Sequence, residues 1–428
     1  MGDVVGVIND VMTQSKKWNQ EVFGNIFKRK NLLQSRIQGI QSSPWYNNAR
    51  GLQNLEQKLM KELSSTLAQE ELLWFQKSRR AWIEDGDKNT NYYHKSTVIR
   101  RSRGRVRALK INGEWTSDPI ILKDHITEFF SSLFRRNNQM GQTTSESHHG
   151  YSLNTNEAAN LIRLADVEEV RKAVFGMKRM GSPALMESRQ SSTKIFGTWS
   201  DAPESAADFR PITLLNVIFK IISKVVVNRL RPLMDKLVGP HQNSFLPGRS
   251  TLDNIVLTQE IMHGMRKKKG KKGSLVMKID LHKAYDSIDW SFLKHTLQDF
   301  GFPTQLISLI LFSLKESSIG ILWNGGKLPA FTPERGLRQG DPLAPYLFIL
   351  AMEKLSMKIQ LEINERRWKP IVMNRGGTAV SHLFFADDLM LFGDATESQI
   401  KVKASGGFHG KYPHHRESGE ILGDPHPT

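Results

Sequence analysis

Two adjacent carboxylates, Asp387 and Asp388, interrupt the otherwise apolar stretch "HLFFADDLMLFGD" at residues 382–394. Leu383, Phe384, Phe385 and Ala386 precede them, and Leu389, Met390, Leu391 and Phe392 follow. Such flanks draw a chain into a core, yet Asp is seldom buried without a group that balances its charge. Both halves read as short strands, which puts the pair at the tip of a tight hairpin, buried by its own strands. A third carboxylate stands in "SLVMKIDLHKAYDSIDW". There Leu275, Met277 and Ile279 alternate with Val276, Lys278 and Asp280 at a strand's period, and Asp280 closes the run. Laying the hairpin beside this strand brings two or three carboxylates together. Like charges that close do not all stay ionised without cations. Hard oxygen ligands select magnesium or manganese, and two such ions about 3.5–4 Å apart serve in-line phosphoryl displacement. The plainer alternative is an ordinary acidic turn.

These residues need elements to position them. The nearly continuous apolar character of residues 275–280 predicts a central strand. A helix follows, with Asp286 or Ser287 as its cap, Trp290, Leu293 and Leu297 on one face, and Gly301 as its end. In "RGLRQGDPLAPYLFILAMEKL", Gly336 and Gly340 permit close backbone approach. Asp341 can cap a helix, Pro342 suits its first position, and Tyr346, Leu347 and Leu350 continue an apolar face. A basic, glycine-bracketed loop that feeds a helix can hold an anion, and Arg335 and Arg338 add charge to it.

Upstream, residues from about 14 to 85 read as helix, with Leu52, Leu55, Leu59, Leu63 and Leu67 in one stripe. Next come Tyr92, Tyr93 and His94, beside Arg100, Arg101, Arg103, Arg105 and Arg107. Basic groups beside aromatics suit backbone phosphates and stacked bases, and equally suit a solvated basic loop. "ALKINGEW" predicts a hairpin around Asn112-Gly113. Residues 137–160 read as a polar linker; His148 and His149 lie there without further ligands at metal-binding spacing. From residue 401 periodicity is lost, as in a disordered tail.

Composition narrows the class. Lys and Arg number 60 against 43 Asp and Glu, a net charge of +17, which points to a polyanionic partner, most often nucleic acid. The chain has no cysteine, hence no disulfide framework and no thiolate zinc site, and an intracellular compartment is the simpler reading. No run of about 18 apolar residues predicts a spanning helix. "RKKKGKK" at 266–272 reads as a solvated loop or as a nuclear import signal.

The ordered motifs "DFRPITLLN", "HQNSFLPGRSTLDNI", "KIDLHKAYDSIDW", "RGLRQGDPLAPYLF" and "FADD" resemble the reverse transcriptase of plant non-LTR (LINE-type) retrotransposons. "WNQEVFGNIFKRKNLL" and "ELLWFQKSRRAWIEDGDKNTNYYHKST" resemble the region that connects endonuclease and polymerase in those elements. The resemblance covers roughly residues 15–395. It implies an α+β fold: a right-hand polymerase palm, an antiparallel sheet with packed helices, with partial fingers and a helical N-terminal region. It implies RNA-directed DNA synthesis on an RNA template and a DNA primer from dNTP substrates, with two magnesium ions and manganese as a substitute. Asp280 and Asp387 match the metal-binding aspartates, Asp388 the accompanying acid, and the Leu281 carbonyl a backbone ligand. Tyr285 matches the aromatic that blocks a ribose 2′-hydroxyl. Gln339 and Gly340 match the loop lining the nucleotide sugar, and Arg210 and Arg249 the basic groups of the fingers. Phe385 stands where the wider family often has Tyr, packed under the primer. Tyr92 and the five arginines from 100 to 107 would bind nucleic acid.

The expected organisation is a helical, basic connector at 1–136, a linker at 137–165, fingers and palm at 166–400, and a tail at 401–428. The chain departs from the family pattern in a short polar segment before "DFRPI", and in lacking an endonuclease and a thumb. A catalytically inert remnant that only binds nucleic acid is the alternative this leaves open.

Overall fold

The structure, a computed structural model, describes residues 10, 13–14, 17, 20–21, 24–46, 49–78, 105–136, 151–177, 191–198, 203–215, 217–267, 273–281, 283–372 and 377–396. The chain divides into two units. The first is Met1–Arg107 with Phe175–Ser188 and Asn216–Ile218, and the second is Ala108–Val174, Arg189–Leu215 and Phe219–Thr428. The boundary near residue 107 does not coincide with the one expected at 136.

In the first unit, helices α1 (Ile26–Gln41) and α2 (Arg50–Ser78) pack as a pair. Within the region read as helical from about 14 to 85, α1 ends at Ser42, whose N–H closes the helix on the Gln38 and Ile40 carbonyls. Pro44 follows two residues later and cannot continue the ladder. Leu33 and Ile37 of α1 bury against Leu59 of α2. Arg29–Glu62 and Lys30–Glu70, each 2.8 Å, join the two helices beside that seam.

The second unit begins with the hairpin β1 (Leu109–Ile111) and β2 (Glu114–Thr116). Asn112 and Gly113 both have positive φ, as a tight two-residue connection requires. Helix α3 (Pro119–Leu133) follows, capped by Asp118. Within the expected linker, α4 (Thr155–Ile162) forms behind a capping box of Asn154 and Glu157. After α5 (Val167–Gly176) come β3 (Ser191–Thr198), β4 (Phe209–Leu214), α6 (Val217–Leu230) and α7 (Thr251–Lys267). Then follow β5 (Ser274–Asp280), α8 (Trp290–Asp299), α9 (Thr304–Lys315), β6 (Ile319–Trp323), β7 (Gly326–Phe331) and α10 (Ala344–Asn364). The short pair β8 (Ile371–Val372) and β9 (Ala379–Val380) precedes β10 (His382–Phe385) and β11 (Asp388–Asp394).

Two sheets result. One has the order β4-β3-β6-β7, with β3 and β6 parallel and the outer pairs antiparallel. The other is antiparallel throughout, in the order β10-β11-β5. The class is α+β, as the sequence implied, but β5 is at an edge of its sheet and β11 is central. The apolar run that suggested a central strand has another cause: both faces of β5 are covered. Leu275 and Met277 enter the main core with α8, α9 and α10, while Val276 packs on the other side with Ile261, Leu383 and Phe392. Helix α10 is the spine of the core. Leu347, Phe348, Ile349, Leu350, Ala351 and Met352 are consecutive and all buried, the mark of a helix enclosed on every side.

Candidate active site

The turn between β10 and β11 sets the geometry. Phe385 pairs with Asp388, leaving Ala386 and Asp387 as a two-residue loop, and Ala386 takes φ of +55°. A side chain at such φ costs on the order of 1–3 kcal/mol, so the surroundings must hold it. They do: Ala386 is buried, and its N–H points to Oε1 of Gln242 at 3.4 Å. The central strand β11 then carries Asp388 directly opposite Asp280, the last residue of β5. Side chains directly opposite across an antiparallel pair lie about 4.5–5.5 Å apart at Cβ. The Leu281 N–H reaches the Asp387 carbonyl at 3.4 Å, which ties the loop to the same strand end. Asp280, Asp387 and Asp388, separated by more than 100 positions, thus meet at one corner of the sheet.

The corner is more open than the sequence suggested. Asp280 is exposed, Asp387 and Asp388 are half-buried, and Phe385 beside them is exposed. Asp387 is pushed up by burial first, and by the charges of Asp388 and Asp280, against a backbone hydrogen bond and Arg210. Lys278 lies 3.3 Å from Asp388 Oδ1 and balances it in part. Among the described residues no group of three or more His, Asp or Glu is drawn close enough to enclose a metal ion. The donors are nonetheless the hard oxygens a magnesium or manganese ion takes. The Leu281 carbonyl also accepts from the Ala284 N–H at 3.2 Å.

Behind the corner, the chain leaves β5 through Lys283, at φ +49°, into one helical turn, Ala284–Ser287. Tyr285 is half-buried and its ring stacks on Phe348 of α10, with centroids 4.1 Å apart and planes at 13°. Burial and the Asp387 charge raise its hydroxyl, and Arg210 opposes them. Arg210 is itself exposed, on β4. Asp286 is 1% exposed, and Gln339 Nε2 lies 3.2 Å from each of its oxygens. Burial pushes Asp286 up to about 7, against Lys283, Gln339, Arg210 and Arg335. Lys283 answers in the opposite direction: burial lowers it to about 8, and Asp286 and Asp208 hold it up. Its Nζ is buried without a hydrogen bond among the described residues, 4.3 Å over the Phe129 ring.

The glycine-bracketed loop is stitched to this turn. Leu337 N–H donates to the Tyr285 carbonyl at 2.7 Å, and Gly336 N–H to the Ile288 carbonyl at 2.8 Å. A Cβ at Gly336 would lie 2.6 Å from the Asp286 carbonyl oxygen, so only glycine fits there. Gly340 has φ of +105° and is exposed. Thr213 N–H donates to the Gln339 carbonyl at 2.8 Å, joining the loop to the strand that carries Arg210. The two arginines expected to charge this loop turn inward. Arg335 Nε donates to the Leu133 carbonyl, and Arg338 is 9% exposed. The helix starts later than expected, at Ala344, and Asp341 accepts from Leu343 N–H just ahead of it. Likewise the cap of α8 is Asp289, which accepts from the Ser291 and Phe292 N–H groups, while Asp286 and Ser287 lie inside the preceding turn.

Arg249 has a different task from the one its motif suggested. Its guanidinium donates to the carbonyls of Val238, Gly239 and Gln242 and pairs with Asp235 at 3.3 Å, which clamps the loop before α7. That loop lies along the outer edge of β10. The His241 carbonyl accepts from Phe384 N–H at 2.7 Å, and Asn254 Nδ2 of α7 donates to the Phe384 carbonyl at 2.9 Å. Arg105 and Arg107 are exposed. Tyr92, Arg100, Arg101 and Arg103 lie outside the described residues, as do the tail from 401 and the histidines at 148 and 149. Lys283, Asp286, Gln242 and Asn254 are the site residues that reading by motif missed. Each sits one to seven positions from a residue that motif reading did select, and only burial singles them out.

Three aspartates thus share a sheet corner, with Arg210 of β4 close enough to act on Asp387. Residues 201–406 match the family "Reverse transcriptase (RNA-dependent DNA polymerase)". An uncharacterized 149 kDa protein of transposon TX1 from Xenopus laevis is 30% identical over 186 residues, 43% of this chain and 14% of its own. The Pol polyprotein of the type-2 retrotransposable element R2DM from Drosophila melanogaster is 27% identical over 187 residues, 44% of this chain and 17% of its own. An uncharacterized mitochondrial protein of Arabidopsis thaliana is 46% identical over 65 residues, 15% of this chain and 53% of its own. A telomerase from Candida tropicalis, solved with a fragment of telomeric RNA, covers 56% of this chain and 42% of its own, at 14% identity and a TM-score of 0.38. The family match lies, apart from Asn216–Ile218, within the second unit and includes Asp280, Asp387 and Asp388. The frog and fly proteins that it resembles come from transposon TX1 and the retrotransposable element R2DM. The chain spans under a fifth of either the frog or the fly relative.

Proposed function

We propose that this chain extends a DNA primer on an RNA template by two-metal nucleotidyl transfer, with Asp280 and Asp387 as metal ligands and Asp388 supporting them. The observation that carries this reading is the pairing of Asp388 with Asp280 across β11 and β5, with Asp387 in the adjoining loop. Divalent ions held there would activate the primer 3′-hydroxyl and stabilise the leaving pyrophosphate. The chain's own contribution is position and charge. Asp280 and Asp387 orient their oxygens from a strand end and a strained loop, both fixed by main-chain hydrogen bonds. Arg210 offers an exposed cation near Asp387, suited to a triphosphate. Tyr285, with its ring immobilised on Phe348, presents a wall to the sugar and excludes a 2′-hydroxyl. Gln339 and Gly340 form the facing wall. Phe385 supplies an exposed aromatic surface for the primer end.

The test is primer extension with oligo-dT on a poly-A template in magnesium. Wild type should incorporate dTTP, and Asp387→Asn should lose at least about a hundredfold in rate, the scale of removing one preorganised electrostatic group. Equal rates for the two would remove Asp387 from catalysis. No synthesis, together with tight template binding, would leave the inert nucleic-acid-binding remnant as the function.

A further inference from the structure

Asp286 is the group around the corner whose presence packing alone does not explain. A buried carboxylate is costly, and an apolar side chain of similar size is often as good or better for stability. Here the carboxylate is 1% exposed, and Gln339 Nε2 is within 3.2 Å of both its oxygens. Its charge is answered by Lys283, Arg210 and Arg335, and Arg210 among these is exposed and also acts on Asp387. Gln339 is a junction: its side chain goes to Asp286 and its carbonyl to Thr213 N–H on β4. The Gly336–Leu337 end of the same loop is pinned separately, by the Ile288 and Tyr285 carbonyls and by Trp290 Nε1 on the Gly336 carbonyl. Among the described residues, the Gln339–Gly340 end is tied to other elements by Asp286 and Thr213, next to a glycine at φ +105°.

We propose that Asp286 is a positioning residue: by holding the Gln339 amide it fixes the 339–340 loop against the turn that carries Tyr285, so that the two walls of the deoxynucleotide pocket stay in register. The anchor is a property of the fold; its purpose rests on the polymerase reading above. Removing the carboxylate frees the Gln339 side chain and loosens one wall while the other, stacked on Phe348, stays in place. The consequence falls on nucleotide affinity and sugar choice, and the chemical step is spared.

The experiment compares wild type, Asp286→Ala, Asp286→Asn and Gln339→Met in the full chain. Two readouts are used: hydrogen exchange by mass spectrometry, and primer extension over a dTTP titration. Asp286→Ala and Gln339→Met should each lose about tenfold protection in peptides covering 209–215 and 336–341, while α8, α9 and α10 keep theirs. Both should raise KM for dTTP about tenfold, with kcat within about threefold of wild type, the scale of one hydrogen bond to a charged group. Asp286→Asn retains an acceptor for Gln339 and should recover most of both effects. Unchanged protection in those two peptides would overturn the proposal, and so would protection lost equally across the core. Should Asp286→Ala not fold, Gln339→Met decides by the same criterion. If wild type makes no DNA, the polymerase reading falls, and the exchange data still decide whether the anchor exists.

Discussion

Tyr285 has little freedom of its own. Its ring lies flat on Phe348, its carbonyl receives Leu337 N–H, and its hydroxyl is raised by burial beside Asp387. A wall that cannot yield is what sugar discrimination needs, because a hydroxyl is rejected only if the clash cannot relax. Tyr285→Ala should therefore admit ribonucleotides, narrowing the dTTP-to-UTP preference in kcat/KM by at least about tenfold. An unchanged ratio would take Tyr285 out of the pocket. Residue types and strand spacing made Asp280, Asp387 and Asp388 legible in the sequence, whereas Tyr285 and Gln339 stood out only through the family resemblance. Asp286 was legible only as a helix cap, since "DSID" offers two aspartates three positions apart with equal claims. Burial separates them: Asp289 caps α8, and Asp286 faces Gln339.

The β10–β11 hairpin is pinned from behind by a histidine. His382 is fully buried, with Ser356 Oγ at 2.8 Å from Nε2 and Ser381 Oγ at 2.8 Å from Nδ1, and the His241 ring centroid is 4.3 Å away. Burial, with the His241 ring second, pushes His382 down to about 3. An unfolded His takes its proton near pH 6.5, so the unfolded chain binds that proton first as pH falls. Stability from this group is complete above about pH 6.5 and drains away toward pH 3. Wild-type Tm should fall between pH 7 and pH 4, and His382→Asn should show a shallower fall over the same window, read by circular dichroism. Parallel slopes would mean that His382 is not the group responsible. At this scale, although the turn falls on Ala386 and Asp387, with Asp388 already in β11, the hairpin was plain from two apolar runs around the doubled Asp. The edge position of β5 was not, because burial on both faces gives the same apolar run whether a strand has one neighbour or two.

Across the whole molecule, the net charge of +17 is the feature least tied to the aspartate corner. Arg105 and Arg107 are exposed, as a phosphate-binding segment would require. Each phosphate contact on a single strand should contribute a log–log salt slope of about −0.7. Replacing Arg100, Arg101, Arg103, Arg105 and Arg107 together with Ser should flatten that slope by roughly three units if most of them touch phosphate. Filter binding of RNA over a salt series reads this directly, and identical slopes would make the segment a solvated face. The palm's stability should be unaffected, since exposed charges contribute little.

The loop that Arg249 clamps also guards a strand edge. β10 ends its sheet, and a bare edge is a template on which another chain can add a strand. His241, Gln242 and Asn243, backed by Asn254, cover that template beside the apolar segment "HLFF". Asn254→Ala leaves the Phe384 carbonyl without its side-chain donor, a loss of about 1–3 kcal/mol, and loosens the cover. The expected outcome is self-association: light scattering on warming should show Asn254→Ala aggregating at a lower temperature than wild type, with the gap larger than the drop in Tm. A chain that carries three aspartates beside an edge hairpin also carries a cover for that edge, and the cover is the short stretch from His241 to Asn243.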